Sequence, residues 1–250
     1  MSRTEAQAVI EDGRVTVAGR PAAKPSRLVT PQESVRVEGP ARRFVSRGGE
    51  KLDAALHRFG VDPADRDCLD AGASTGGFTD RLLQGGAARV AAVDVGYGQL
   101  AWSLREDPRV TVLERVNVRD LTPADLPFTP SLVVADLSFI SLRLVLPALA
   151  AVAAAGADLV LLVKPQFEAA RDEVGGGGVV RDADVWHRSI EGVVEACRAV
   201  GLTPVDVMAS PLPGPAGNVE FLLRAAKAGV ETALDVDGAI AEGIRIGGAV

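Results

Sequence analysis

The sequence predicts an α/β fold with a mostly parallel sheet, preceded by a small separate module. From residue 67 to residue 224, short apolar segments alternate with longer helical stretches, and each apolar segment is nearly continuous. This pattern is typical of parallel strands that are covered by helices on both faces of a sheet. The predicted strands are residues 68–71, 90–95, 110–113, 132–136, 159–163, 205–209 and 219–223.

The end of this sheet departs from the parallel pattern. Only a segment rich in proline and glycine, residues 210–218, separates the last two strands. A crossover between parallel neighbours needs a dozen or more residues. We therefore expect the last strand to be antiparallel, in a domain that covers residues 48–228. Residues 229–250 form a tail with one predicted helix over 231–242.

The first 40 residues predict a module of their own. They contain a helix signal over residues 2–11 and short strand signals at 14–17 and 34–37, and residues 41–47 have the composition of a linker. Residues 1–51 carry ten Lys and Arg against six Asp and Glu, whereas the rest of the chain carries seventeen against twenty-seven. A basic head on an acidic body favours contact between the head and a polyanion.

The bulk composition excludes several classes of protein. A hydrophobic content of 47% and a charged content of 24% are typical of a soluble globular protein. Cys68 and Cys197 lie far apart without metal-ligand spacing, so we expect neither a disulfide framework nor a metal site. The longest apolar stretch, residues 144–157, is shorter than the roughly 20 residues of a membrane-spanning helix. The N terminus lacks a signal-peptide pattern, which favours the cytoplasm.

A glycine-rich turn follows the first predicted strand and leads directly into a helix. Glycines permit close approach of the backbone to a ligand, and free amides at a helix start bind polar groups. The lysine of a nucleotide P-loop and the glycine spacing of NAD sites are both absent from this turn. The candidate cofactor contacts in it are Asp70, Gly72, Ser74, Thr75, Gly76, Gly77 and Phe78.

Acidic residues follow the next two strands in order. Asp94 and Val95 close the second strand, where a carboxylate can accept hydrogen bonds from both ribose hydroxyls of an adenosine. Asp120 follows the third strand, where its side chain could contact the adenine edge. Either acid alone is equally well explained as a helix cap. The ordered set at the carboxyl ends of the strands favours a Rossmann-like site for S-adenosylmethionine.

Lysine is scarce in this chain, and two of its lysines fall at the same edge of the predicted sheet. Lys164 ends the fifth strand, Asp136 ends the fourth and also borders the cofactor site, and Glu220 begins the last strand. Lys51 lies on a helix predicted over residues 50–59, beside the cleft. Lysine, unlike arginine, can lose its proton, which is one reason for using it at a reactive site.

These four charges suit methyl transfer to a hydroxyl. A lysine side chain ordinarily has a pKa of about 10.4; burial and a second cation lower that pKa, and carboxylates raise it and fix the amine. We predict that Lys164 is the base, with Lys51, Asp136 and Glu220 positioning it and the acceptor. From spacing alone, two ordinary salt bridges at a domain edge are the simpler interpretation.

Several motifs in the sequence resemble one family. The order Lys51, Asp136, Lys164, Glu220 is similar to the K-D-K-E tetrad of FtsJ-like RNA 2′-O-methyltransferases. The surrounding segments resemble the TlyA family within that group. They are Ser46-Arg-Gly-Gly-Glu-Lys-Leu52, the turn Asp70-Ala-Gly-Ala-Ser-Thr-Gly-Gly-Phe-Thr79, Ala135-Asp-Leu-Ser-Phe-Ile-Ser141, Val163-Lys-Pro-Gln-Phe-Glu168 with the glycine-rich loop 173–182, and Gly217-Asn-Val-Glu-Phe221.

The resemblance implies a Rossmann-like class I methyltransferase domain that uses S-adenosylmethionine to methylate cytidine 2′-hydroxyls of ribosomal RNA, with ribosomal subunits as partners. It also implies an RNA-binding module similar to that of ribosomal protein S4 over residues 1–40. The family's module opens with a further helix, so we expect either a longer N terminus or a truncated module. The candidate RNA contacts are Arg3, Arg14, Arg20, Lys24, Arg42, Arg43 and Arg47.

Two alternatives stay open at this stage. Many family members carry the name hemolysin, so a membrane-active or RNA-binding protein without methyl transfer is the second hypothesis. Phe139, three residues after Asp136, is predicted either to stack on a base or the adenine ring, or to be buried in the core.

Overall fold

The computed structural model describes residues 6–7, 9–10, 13–22, 24–39, 43–230 and 232–247. Its N-terminal module contains a three-stranded antiparallel sheet in the order β2-β1-β3, with β1 at Val15–Val17, β2 at Arg20–Pro21 and β3 at Val35–Val37. The two valines at the ends of β1 are buried together with Val9 and Ala22. The two predicted strands of the module are therefore confirmed, around a very small apolar core.

The second domain is built on a seven-stranded sheet in the order β6-β5-β4-β7-β8-β10-β9. Strands β4 to β8 run parallel, whereas β10 pairs antiparallel with both β8 and β9. The predicted antiparallel last strand is therefore confirmed. The strands are β4 (Asp67–Ala71), β5 (Arg89–Asp94), β6 (Val110–Glu114), β7 (Leu132–Ala135), β8 (Asp158–Val163), β9 (Thr203–Ala209) and β10 (Phe221–Ala226).

Helices cover both faces of this sheet, as the continuous apolar strands predict. The helices are α1 (Arg47–Phe59), α2 (Gly77–Gln84), α3 (Trp102–Arg105), α4 (Leu142–Val152), α5 (Pro165–Glu168), α6 (Ala183–Ala199) and α7 (Val236–Gly247). Side chains alternate between two apolar clusters: Leu69 belongs to the one that includes residues of α4, α6 and α7, and Cys68 belongs to the one that includes residues of α1 and α2. Both are fully buried. This packing fixes the loops at the carboxyl ends of the strands.

Several boundaries differ from the prediction. Helix α1 begins at Arg47, inside the predicted linker and before the predicted start at residue 50. Helix α7 begins at Val236 rather than at residue 231, because the Asp235 carboxylate accepts a hydrogen bond from the Gly238 amide and so caps the helix there. Glu220 lies immediately before β10 rather than inside it.

The apolar stretch at residues 144–157 forms most of α4 and the turn into β8, as predicted. Within the described ranges, no helix has the length and apolar character needed to cross a membrane. Cys68 and Cys197 are both free and buried, and burial raises the pKa of each thiol to about 12.

Candidate active site at the carboxyl edge of the sheet

The glycine-rich turn connects β4 to α2 and packs closely on two neighbouring segments. Gly72 and Gly76 have φ angles of 89° and 97°, in the region that favours glycine. A Cβ atom at Gly72 would collide with the Asp136 carbonyl, and one at Gly77 would collide with the Ser46 hydroxyl. The turn is therefore in contact with the loop after β7 and with the start of α1.

Asp70 lies beneath this turn, near the end of β4. It is fully buried, and its Oδ2 accepts hydrogen bonds from the Thr79 amide at 2.8 Å and the Thr79 hydroxyl at 2.6 Å. Burial raises the pKa of Asp70 to about 7; the Thr79 hydrogen bonds oppose this increase and the nearby Asp136 charge adds to it. Asp70 thus caps α2 and holds the turn in place.

A cavity of about 620 Å³ opens beside the turn. That volume lies within the range of small-molecule and cofactor sites. Its walls come from the turn, the start of α1, the ends of β7 and β8, and the loop before β10. The lining residues are Ser46, Arg47, Gly48, Lys51, Gly72, Ala73, Ser74, Thr75, Gly77, Phe78, Asp136, Ser138, Lys164, Pro213, Pro215 and Glu220.

The four charged residues of the predicted tetrad all line this cavity, where they form two ion pairs. Lys51 Nζ lies 2.5 Å from Glu220 Oε2, and Lys164 Nζ lies 2.6 Å from Asp136 Oδ1. The Lys164 ammonium also donates to the Ser138 hydroxyl at 3.0 Å. The structure thus brings the four residues to one cavity, where the contacts between them are two salt bridges.

Local structure fixes each member of the tetrad. Lys164 ends β8 at the N-cap of α5, because Pro165 at the first helical position prevents the strand from continuing. Gly214 lies against Glu220, where a Cβ would come within 2.6 Å of Oε1. Both lysines are less than a tenth exposed. Ion pairing inside a partly closed cavity is screened less by water than ion pairing at the surface.

The three predicted adenosine contacts are placed differently from one another. Asp94 is half-buried, and its two oxygens accept hydrogen bonds from the Ser74 amide at 2.8 Å and the Gly96 amide at 2.6 Å. Val95 is 74% exposed, and Asp120 is exposed at the end of a short 3₁₀ turn. Among the described residues, Asp94 lines a narrow pocket next to the main cavity, but Val95 and Asp120 line neither.

Phe139 is exposed, so the interpretation of this residue as a core side chain is wrong. It is 90% exposed, and its φ of 65° is unusual for a residue other than glycine. Its ring packs at 5.3 Å from the Phe167 ring, and Lys164 Nζ lies 6.0 Å from the Phe167 ring centre. An aromatic pair therefore stands at the rim of the cavity beside one of its lysines.

The predicted RNA contacts of the module are mostly at its surface. Arg20 and Lys24 are exposed, and Arg14 Nε donates to the Glu38 carbonyl at 3.0 Å. Arg3 and Arg42 lie outside the described residues. The predicted contacts of this group therefore include two exposed cations and one that already binds the module's own backbone.

The predicted RNA contacts after the module have partners in the second domain. Arg43 pairs with Asp53 at 2.5 Å and stacks on the Phe44 ring at 4.8 Å. Arg47 lines the cavity and donates to the Pro213 carbonyl at 2.8 Å. The structure thus brings Arg47, but not Arg43, to the wall of the candidate site.

Several cavity residues were not singled out in the sequence. Ser46 and Gly48 lie in the Ser-Arg-Gly-Gly-Glu-Lys motif, but their proximity to the glycine turn depends on how α1 packs against α2. Ser138 follows Asp136, and its contact with Lys164 required the loop geometry. Pro213 and Pro215 belong to a segment that the sequence marked only as a connection.

The fold and this edge together define a Rossmann-like methyltransferase domain. Residues 44–227 match the FtsJ-like methyltransferase family, and residues 2–35 match the S4 domain family. The chain is 54% identical over 223 residues to the 16S/23S rRNA (cytidine-2′-O)-methyltransferase TlyA of Mycobacterium tuberculosis, which covers 89% of this chain and 83% of that protein. The chain belongs to the FtsJ-like methyltransferase family and to its TlyA branch.

Two solved structures support this assignment at different levels. A protein described as a hemolysin from Streptococcus thermophilus superposes with a TM-score of 0.82 at 38% identity, covering 98% of this chain and 91% of its own. An S-adenosylmethionine-dependent methyltransferase from Listeria monocytogenes superposes with a TM-score of 0.55 at 16% identity, covering 74% of this chain and all of its own. The second likeness shows the fold alone.

Proposed function

We propose that this protein transfers a methyl group from S-adenosylmethionine to ribose 2′-hydroxyls, in cytidines of ribosomal RNA. The observation that carries the proposal is the pair of lysine–carboxylate contacts that Lys51 forms with Glu220 and Lys164 forms with Asp136. They stand within one cavity, beside a turn of the kind that binds adenosine cofactors. The substrate named for the TlyA relative is ribosomal RNA, and the S4 match adds a module of an RNA-binding type.

The residues around the cavity fit S-adenosylmethionine. Glycines at 72 and 77 leave no side chain between the turn and its neighbours, and Ala73 and Ser74 of the turn line the cavity. Each carboxylate oxygen of Asp94 accepts a hydrogen bond from one backbone amide and can accept a further one from a ribose hydroxyl. Asp120 would contact adenine from the surface. When bound, S-adenosylmethionine supplies an electrophilic methyl group.

The ion pairs suit proton removal from a ribose hydroxyl. In the transfer, the 2′-oxygen would attack the methyl carbon, the methyl–sulfur bond would break to release S-adenosylhomocysteine, and the proton of the 2′-hydroxyl would pass to Lys164 Nζ in its neutral amine form. Asp136 and Ser138 hold that nitrogen in place at 2.6 Å and 3.0 Å. Lys51, held by Glu220, keeps a second positive charge in the cavity, where it stabilises the developing negative charge on the 2′-oxygen.

The rim of the cavity offers a surface for the base of the target nucleotide. Phe139 is exposed beside Phe167, and aromatic rings of this kind stack on unpaired RNA bases. Exposure combined with a strained φ is typical of residues that are held for function. Arg20, Lys24 and Arg47 would bind the phosphate backbone around that base. A ribosomal RNA substrate would place the activity in the cytoplasm.

The test is transfer of tritium from labelled S-adenosylmethionine to purified 30S and 50S subunits, followed by nuclease mapping of the product. We expect a labelled 2′-O-methylcytidine with the native chain and none with Lys164→Ala. No transfer to 30S, 50S or assembly particles would contradict the proposal. Membrane lysis without S-adenosylmethionine, unchanged in Lys164→Ala, would instead support the second hypothesis, which the hemolysin name of the structural relative raises.

A further inference from the structure

A buried asparagine joins the glycine-rich loop at residues 173–182 to the segment that carries Glu220. Asn218 is 2% exposed. Its Oδ1 accepts a hydrogen bond from the Val180 amide at 2.9 Å, and its Nδ2 donates one to the Gly178 carbonyl at 2.9 Å. Both polar atoms of the side-chain amide are therefore engaged in holding the end of the loop.

The loop has an anchored base and an exposed tip. Residues 175–178 are exposed glycines, whereas Val179 and Val180 are buried. The Trp186 indole donates to the Val180 carbonyl at 3.0 Å, so Val180 is bound from α6 on one side and from Asn218 on the other. A tip without side chains makes no packing contacts of its own, and its position follows that of its base.

The same asparagine organises the segment before Glu220. The Asn218 carbonyl accepts a hydrogen bond from the Gly214 amide at 2.8 Å, and Gly214 in turn lies against the Glu220 carboxylate. Two residues after Asn218, that carboxylate pairs with Lys51. A shift of Asn218 is therefore transmitted to Glu220 both along the chain and through Gly214.

We propose that Asn218 is a positioning residue that fixes Glu220, and through it Lys51, by fastening the Glu220 segment to the glycine-rich loop. The effect of Asn218 on methyl transfer rests on the proposed function. Among the described residues, Glu220 and Pro213 line the cavity and Asn218 does not. Asn218 therefore acts on the site through Glu220 rather than through contact with a substrate.

The primary test is Asn218→Ala, followed by hydrogen–deuterium exchange and steady-state kinetics on the full chain. We expect exchange at least tenfold faster in peptides covering residues 174–182 and 214–221. The kcat should fall at least tenfold, with KM for both substrates within threefold of the native value. Arg224→Ala is the control for lost stability, because Arg224 ties the other end of β10 to Asp158 and to the Phe59 carbonyl. We expect Arg224→Ala to leave kcat within threefold of the native value.

A second pair of variants keeps the test decisive where Asn218→Ala folds poorly. Gly178 has a φ of 76° and open space around it, whereas Gly176 has open space and an ordinary φ. Alanine at 178 therefore strains the peptide that Asn218 binds, and alanine at 176 adds the same methyl group without strain. We expect Gly178→Ala to lower kcat at least threefold. Gly176→Ala should leave kcat within twofold of the native value.

Each outcome decides the question. Faster exchange at 174–182 with unchanged kcat would mean that Asn218 holds the loop alone, and would overturn the proposal. Unchanged exchange at 214–221 in Asn218→Ala would overturn it as well. If the native chain transfers no methyl group to RNA, the proposed function fails, but exchange at 214–221 still reports whether Asn218 fixes the Glu220 segment.

Discussion

The two ends of strand β8 both carry ion pairs, but these pairs use different cations. At the amino edge, where β8 begins, Arg66 and Arg224 bind the two oxygens of Asp158 at 2.9 Å and 2.8 Å. At the carboxyl edge, where β8 ends, Lys164 binds Asp136 and Lys51 binds Glu220. Arginine thus pairs with the carboxylate at the start of β8, and lysine pairs with the carboxylates beside its end.

The arginines at the amino edge and the lysines at the carboxyl edge also differ in the partners that they bind. The guanidiniums at the amino edge also donate to the Ser131 and Phe59 carbonyls, so these cations bind two backbone carbonyls in addition to Asp158. The lysines at the carboxyl edge are held by carboxylates and one hydroxyl, and both face a cavity. A guanidinium stays charged in proteins, whereas an amine can take up and release a proton. The carboxyl edge is therefore the one equipped for proton transfer.

The largest effect is expected at Lys164. Replacement by arginine keeps the positive charge near Asp136 but removes a group that can accept a proton. We expect Lys164→Arg and Lys164→Ala to lower the single-turnover rate by roughly 10²–10⁴-fold, the usual contribution of a general base. Binding of S-adenosylhomocysteine, measured by calorimetry, should change much less than the rate.

Lys227→Arg is the matched control for this change. The Lys227 ammonium donates to the Ala150 and Ala153 carbonyls, which is a structural contact that a guanidinium can also make. We expect its rate to stay within twofold of the native rate. A Lys164→Arg variant with nearly native turnover would show that the cation at the end of β8 needs only its charge and does not accept a proton.

The next largest effect is expected at Glu220, whose side chain is the most buried of the four charges in the cavity. Glu220→Gln leaves the Lys51 ammonium in the cavity wall without its anion. Removal of one member of a buried pair costs roughly 3–5 kcal/mol. We expect the free energy of unfolding to fall by about that amount in urea denaturation, and turnover to fall with it.

The double variant Lys51→Met with Glu220→Gln separates these two effects. It removes the unpaired charge, so stability should recover while turnover stays low. Recovery of both would mean that the pair is structural, like those at the amino edge. Recovery of neither would mean that packing around α1, rather than charge, explains the single variant.

Sequence reasoning located the carboxyl edge because strand periodicity fixes where each strand ends. Lys164 and Asp136 follow apolar runs that can only be buried strands, and parallel strands bring their carboxyl ends to one edge. The antiparallel last strand followed from the short segment before it. These features depend on local sequence, and the structure places them as expected.

The pairing within the site did not follow from the sequence, because it depends on loops that pack across the fold. Which acid holds which lysine is decided by the 210–218 segment and by Ser138. Asp70 shows the limit most clearly. Its position near the end of β4 predicts a contact with the cofactor, and the structure shows in addition that the turn folds over it and that its Oδ2 accepts hydrogen bonds from Thr79. Sequence order cannot distinguish a residue above a turn from one below it.

The ionisation of Asp70, at the carboxyl edge, should make the free energy of unfolding depend on pH. Burial raises the pKa of Asp70 to about 7 from an ordinary value of 3.8. Because the folded state holds this proton more tightly than the unfolded state, its stabilising effect is complete below about pH 4 and is lost as the pH rises through 7. The slope contributed by one such group is about 1.4 kcal/mol per pH unit at most.

Asp70→Asn tests this dependence, because an amide keeps the oxygen that accepts from Thr79 and does not titrate. We expect its unfolding free energy to vary less than that of the native chain between pH 4 and 7, and to be relatively higher above pH 7. Urea denaturation at several pH values measures both. Parallel curves for the two proteins would mean that Asp70 is ionised throughout this range.

The smallest effect on turnover is expected at the amino edge. Asp158→Asn removes the negative charge between Arg66 and Arg224 but keeps a side chain of the same shape. The carboxylate is 17% exposed, and hydrogen bonds to charged groups contribute about 1.5–3 kcal/mol each before screening by water. We expect the free energy of unfolding to fall by roughly 1–2 kcal/mol at low salt, with kcat within twofold of the native value. A loss of turnover as large as that of Glu220→Gln would mean that the two edges are mechanically coupled through β8, and that the arginine cluster also positions Lys164.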